Sequence, residues 1–243
     1  MTNEQYVFLD KFRQDFKNQI KIWNTFVPDL MDLQKQASKI ADTPDYPFQT
    51  PIVYNTALDD ISPQDDIFKI VIGDNPGKDE QLLKNNKYLV GQAGKLGERF
   101  FKMNPELGTD FRKNVIILNK TPVHSAKTAQ LKTIAKLGGT SAIQLIEQSQ
   151  IWMAQKTVEL AKTLNAQIWL VGYSELKPKG IFSLYRDELK KSDYLDSIFV
   201  YQHFSMNRFT IDLTNYQKAN STQTLTEALT NLGTLHREEI FGI

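Results

Sequence analysis

The chain has 243 residues, 41% of them apolar and 23% charged, a balance that suits one folded domain and excludes disordered and fibrous architectures. With no cysteine it forms no disulfide, thiolate nucleophile, zinc-thiolate site or cysteine-ligated iron-sulphur cluster. Its 29 basic and 28 acidic residues nearly cancel, so bulk charge announces no nucleic-acid partner.

The opening Met1-Thr2-Asn3-Glu4-Gln5 lacks the basic-then-apolar layout of a secretory leader, and no apolar run approaches the ~20 residues of a membrane helix; a cytoplasmic protein with no membrane partner is expected. Leu9, Phe12, Phe16, Ile20 and Trp23 recur at helical spacing, with Thr2 and Gln5 placed to form a capping box. Asn24 to Phe26 and Pro28 interrupt, and Leu30, Leu33, Ala37 and Ile40 predict a second helix. Thr43 to Asp66, rich in Pro and Asp, reads as a loop.

Four short apolar runs follow, Phe68 to Ile72, Val115 to Leu118, Ile168 to Val171 and Ile198 to Tyr201, whose β-branched and aromatic content fits strands buried on both faces. Ile151, Ala154, Val158, Ala161 and Leu164 give a helical face before the third, and Tyr173 to Leu189 reads as helix before the fourth. Leu225, Ala228, Leu229 and Leu232 predict a last helix, capped by Thr224 and Glu227. The expected fold class is α/β, a three-layer α/β/α arrangement with a central four-stranded, mostly parallel sheet. It forms a single domain over residues 1–243, with an N-terminal helical extension and acidic loop over 1–66 and the α/β core over 67–243.

Charge is segregated along the chain. Ala41 to Phe68 holds six Asp and no Lys or Arg, whereas Phe111 to Ile146 holds Arg112, Lys113, Lys120, Lys127, Lys132 and Lys136 with no acid. The second stretch is either a phosphate-facing surface or a solvated loop with local bias.

Ligands of such sheets bind beyond the carboxyl ends of the strands, so the residues there are the candidates. Gly73-Asp74-Asn75-Pro76-Gly77 follows the first run, either a plain turn or a rigid presentation of Asp74 and Asn75. It is no Walker A loop, and the spacing of Gly91, Gly94 and Gly97 fails the dinucleotide pattern. Asn119 follows the second run, placed to read the polar edge of a planar ligand or to cap a turn. After the fourth run, Gln202-His203-Phe204-Ser205-Met206-Asn207-Arg208 offers an imidazole, apolar wedges and a phosphate contact in one loop, or a satisfied structural histidine. The three histidines, His124, His203 and His236, are too scattered for a spaced metal motif, and no metal or other cofactor is expected.

Taken in order, Gly73-Asp74-Asn75-Pro76-Gly77, Leu89-Val90-Gly91-Gln92-Ala93-Gly94-Lys95-Leu96, Val115-Ile116-Ile117-Leu118-Asn119 and His203-Phe204-Ser205-Met206-Asn207-Arg208 resemble the uracil-DNA glycosylase superfamily from about Phe68 to Ile211. The first resembles the G-x-N-P-G form of its mismatch-specific and single-strand-selective branches. The second resembles V-G-x-A-G-x-L of the cluster-bearing branch, and the last the H-P-S loop with Phe204 in place of proline.

The resemblance implies an enzyme that flips a nucleotide out of the stack and hydrolyses its N-glycosidic bond, leaving an abasic site in DNA that contained uracil or a related damaged base. By similarity, Asn75 positions water, Asp74 adds negative charge near the sugar, and His203 donates to the leaving base, a contact worth ~3 kcal/mol. Gly73, Pro76 and Gly77 frame the base, Asn119 reads its edge and Tyr88 or Leu89 covers its face. Ser205 and Arg208 hold the DNA backbone, and Phe204 or Met206 fills the gap in the stack; from the basic stretch rather than the resemblance, Lys120 and Lys127 are expected as phosphate contacts.

Departures carry expectations of their own. The Asn75 amide stands where the most active branch has a carboxylate, so turnover is expected to be modest. Leu89 falls where the cluster-bearing branch has a stacking Phe, and Gly77 replaces the tyrosine that bars the thymine methyl. Two other classes stay open: a lapsed member that binds nucleic acid or a free base without cleaving it, and an unrelated doubly wound enzyme using the Gly73–Gly77 turn as an anion site for a small phosphorylated or nucleoside substrate.

Overall fold

The computed structural model describes residues 1–243 as a four-stranded, all-parallel sheet and seven α-helices. The strands are β1 (Lys69–Gly73), β2 (Val115–Asn119), β3 (Gln167–Val171) and β4 (Ile198–Tyr201), in the order β2-β1-β3-β4. Successive side chains alternate between faces, as the pleat requires. Ile70, Ile72, Ile116, Leu118, Ile168, Leu170, Ile198 and Val200 enter one core, and Val71, Val115, Ile117, Trp169, Val171, Phe199 and Tyr201 enter the other.

The helices are α1 (Asn3–Phe26), α2 (Leu30–Ile40), α3 (Gln92–Met103), α4 (Gln130–Leu164), α5 (Ser183–Lys190), α6 (Arg208–Ala219) and α7 (Leu225–Phe241). The first core is filled from α1, α2, α4 and α5, the second from α3, α6 and the first half of α7, so helices cover both faces. Both capping boxes form, Thr2 with Gln5 and Thr224 with Glu227. Helix α7 runs along β4, where Tyr201 donates to Leu229 O, and so closes that edge of the sheet. No helix is long and apolar enough to cross a membrane.

Four expectations shift. The first strand is displaced by one residue, so Gly73 ends β1, and Asn119 is the last residue of β2 rather than the first beyond it. The helix expected over Tyr173 to Leu189 is a 3-10 turn, Tyr173–Leu176, then α5, because Pro178 and Gly180 break the path. Asn24 to Phe26 continue α1 rather than interrupting it. Helix α4 starts 21 residues before the apolar face that announced it and kinks at Gly139, whose φ is 59°.

Candidate active site

The chain passes from β1 to β2 on one side and then, through α4, from β2 back across β1 to β3 on the other, so its direction reverses between β1 and β3. The crevice at that reversal is where open α/β sheets bind ligands. Here it holds the ammonium of Lys120. Its Nζ donates to Val171 O at 2.5 Å, Gly73 O at 3.3 Å and the Asp74 carboxylate at 2.5 Å, and lies 5.1 Å from the centre of the Phe182 ring. Three acceptors use all three N–H bonds, so the side chain is a charged tie across the two strand ends. Gly172 makes room: its φ is 96°, and a Cβ there would sit 2.3 Å from the Asp74 carboxylate. Lys120 is fully buried, and the phosphate contact expected of it is therefore corrected: burial against Asp74 and Phe182 leaves the amine no path to DNA.

The Gly73–Gly77 loop is held from the β2 side. His124 Nδ1 donates to Pro76 O at 2.8 Å, and Tyr46 Oη lies 3.0 Å from its Nε2. Burial lowers the His124 pKa to about 4, so this imidazole is neutral and structural. Asn75 Nδ2 donates to Ser125 Oγ at 2.9 Å, Ser125 O at 3.1 Å and Pro76 O at 3.2 Å, while its Oδ1 takes no hydrogen bond from the protein. A side chain at Gly77 would meet nothing within 4 Å.

Glu80 closes the same loop by accepting from Gly77 N–H at 2.9 Å. Burial raises its pKa to about 7 from an ordinary 4.5, partly offset by backbone hydrogen bonds. A raised folded-state pKa means that the folded protein holds an extra proton between those values, so the stabilisation is full below pH 4.5 and is lost as pH rises through 7. Glu80→Gln keeps the acceptor without the charge. Its stability relative to wild type is expected to improve by roughly 2–3 kcal/mol between pH 4.5 and pH 8 in urea unfolding. A difference that does not change with pH would contradict this.

His203, partly buried beyond β4, is held by its own loop: Ser205 N–H donates to Nδ1 at 3.1 Å, and Ser205 Oγ lies 2.8 Å from it. Nδ1 is thus an acceptor, and neutral His203 carries its proton on Nε2. Burial lowers its pKa, Asp74 opposes that and Lys120 reinforces it, so all three share one electrostatic environment. Ser205, expected on the DNA backbone, is instead the partner of this imidazole.

Asn119 is 1% exposed, and its Nδ2 has no hydrogen-bond partner; its Oδ1 would lie 2.5 Å from a Cβ at the paired Gly73. A buried donor without a partner costs about 1–3 kcal/mol, which a ligand oxygen would recover.

The remaining candidates divide. Tyr88 is buried with its hydroxyl donating to Val53 O at 2.5 Å, and Leu89 is buried beside it with a φ of 50°, so neither offers an open face to a base; both pack in the second core. Phe204 is likewise corrected from wedge to core, packed 4.9 Å from the Phe209 ring and edge-on to Phe111, because its backbone turns the ring inward under α3. Met206 is 75% exposed, and it and Asn207 are consecutive left-handed residues with φ of 55° and 56°. Arg208 and Lys127 are exposed.

Lys120, Gly172, Ser125 and Glu80 are the site residues that sequence reasoning missed in these roles; the glycine directly after β3 was the one local signal. A cavity of about 510 Å³ lies elsewhere, on the open edge of β2 between Asn55, Tyr88, Phe111 and Arg112. None of the five main cavities is lined by Asp74, Asn75, Asn119 or His203. No three His, Asp or Glu side chains are disposed to hold a metal ion. No protein-family model matches the chain, and neither does any curated protein or solved structure.

Proposed function

We propose that the chain is a DNA glycosylase that hydrolyses the N-glycosidic bond of uracil or a related damaged base and leaves an abasic site. The observation that carries this reading is the buried, unpartnered Nδ2 of Asn119 at the carboxyl end of β2, beside the loop that bears Asn75. A uracil oxygen supplies the acceptor that this amide lacks.

In the proposed reaction the nucleotide leaves the stack and its base enters against Gly73 and Asn119. Asn75 Oδ1 accepts a hydrogen bond from a water aimed at the sugar carbon. The carbon–oxygen bond forms as the bond to the base nitrogen breaks, and its electron pair leaves on the base. His203 Nε2–H donates to the oxygen where that charge gathers. An amide cannot take the water's proton, which passes to solvent, so a modest rate follows. Asp74 contributes less negative charge to the sugar than a free carboxylate, because Lys120 pairs with it. Exposed Met206 fills the vacated stack, with Arg208 and Lys127 on phosphates.

A second reading, a member that binds without cleaving, is favoured by the amide at position 75, which cannot take a proton from water. One assay separates the two. Single- and double-stranded uracil-bearing oligonucleotides are incubated with protein, treated with alkali and resolved; breaks at the uracil position support the enzyme. Salt-sensitive binding of the same oligonucleotides without breaks supports the binder. Neither breaks nor binding would overturn both.

A further inference from the structure

Resting on the glycosylase reading, we propose that Ser125 is the positioning residue that sets the amide orientation of Asn75, so that its carbonyl oxygen rather than its NH2 group faces the attacking water. The surroundings of Asn75 Nδ2 are three oxygens: Ser125 Oγ at 2.9 Å, Ser125 O at 3.1 Å and Pro76 O at 3.2 Å. Two are backbone carbonyls and can only accept. The third is committed as well, because Ser125 Oγ–H donates to Lys127 O at 3.0 Å and so meets Asn75 with a lone pair. An amide turned the other way would set its own oxygen against three acceptors.

Ser125 is itself tied down. It is buried, its N–H donates to Pro76 O at 3.2 Å, and the preceding His124 is tied through its N–H to Pro51 O at 2.9 Å and through its carbonyl to Gln34 Nε2 at 2.9 Å. The segment after β2 therefore grips the loop after β1 at both Pro76 and Asn75, and orientation is imposed by the fold rather than by substrate.

One consequence runs against simple chemical intuition. A carboxylate at position 75 is a stronger base than an amide, yet Asn75→Asp would turn one anionic oxygen toward the three acceptors. That repulsion favours the protonated acid and holds the new carboxyl above the usual carboxylate range. The substitution is expected to give no gain in rate at neutral pH.

Two measurements on the intact protein test this. In the first, the Asn75 side-chain amide signals, identified by their loss in Asn75→Asp, are followed by 15N-resolved exchange with water. Wild type and Ser125→Thr are expected to exchange at least about tenfold slower than exposed asparagines, and Ser125→Ala to lose part of that protection, since the two backbone carbonyls remain as acceptors. Exchange in wild type at the exposed rate would overturn the proposal. In the second, single-turnover cleavage of a uracil oligonucleotide is expected to fall about tenfold in Ser125→Ala with unchanged oligonucleotide Kd, and to recover in Ser125→Thr, since the hydroxyl alone is at stake. Ser125→Ala at the wild-type rate, or Asn75→Asp faster than wild type, would overturn it. Should wild type cleave nothing, the glycosylase reading falls, and the exchange measurement still decides the orientation.

Discussion

His203→Ala is expected to lower single-turnover release of uracil by about 10²- to 10³-fold while leaving oligonucleotide binding within a few-fold, the cost of losing one aimed donor. The size follows from how completely this donor is set in advance. Ser205 N–H fixes Nδ1 as an acceptor, so the proton stands on Nε2 before any base arrives. The sign of the pH dependence is equally fixed. The imidazole pKa is lowered by burial, with the Asp74 carboxylate opposing and the Lys120 ammonium reinforcing, so His203 resists protonation more than a free imidazole. A neutral donor gives a rate that does not climb as pH falls from 7.5 to 6. A rate that climbs through 6.5 as the imidazole gains its proton would instead make the imidazolium the donor, contrary to the geometry. Substitution that leaves the rate untouched would remove His203 from the chemistry.

The largest stability effect is expected at Lys120. Lys120→Met removes the tie between β1 and β3 and leaves the Asp74 carboxylate, 13% exposed, facing two backbone carbonyls with no cation. Breaking a buried ion pair from one side costs about 3–5 kcal/mol, mostly because the partner charge is stranded. For a chain of this size that lowers Tm by roughly 6–10 °C. Burial and pairing act in opposite directions on Lys120 itself, and desolvation is the larger influence, lowering its pKa. Adding Asp74→Asn to Lys120→Met removes the stranded charge, so the double variant is expected to be more stable than the single one. Thermal unfolding of the two proteins checks this; a single variant as stable as wild type would mean that the pair is only a packing contact. With the ammonium gone, His203 also loses a neighbour that disfavours its protonation, so the acid limb of the rate should move to higher pH.

How much was legible in the chain differs between scaffold and site. The four strands could be read because each is a short apolar run rich in β-branched and aromatic residues, such as Val115-Ile116-Ile117-Leu118, that neither helix periodicity nor exposure explains. Helix α3 went unpredicted: Gly94 and Gly97 lower its helix propensity, although Gly94 is there for close packing, its Cβ position lying 1.5 Å from Leu89 O. Helix α6 buries only Phe209 and Leu213, too few for a periodic signal. In the site, the local order of Asp74, Asn75, Asn119 and His203 was visible because all four stand at strand ends. Lys120 was misread because its burial depends on β1 and β3 closing over it, a pairing between residues about 50 apart that no local pattern of charge reveals. Ser205 and Phe204 were misassigned for a related reason. The loop turns at Met206, sending the hydroxyl to His203 and the ring into the core, and a string of residue types does not encode that turn.

The most direct test follows the product rather than the strand. Wild type and the variants Asn75→Ala, Asn119→Ala and His203→Ala are each mixed in excess with a uracil-containing single strand, and the free base is quantified against abasic sites. Wild type is expected to release one uracil per abasic site, with each variant slowed by at least about tenfold. Undiminished release from all three variants, or no free uracil from wild type at any enzyme concentration, would contradict a shared site built from these strand ends.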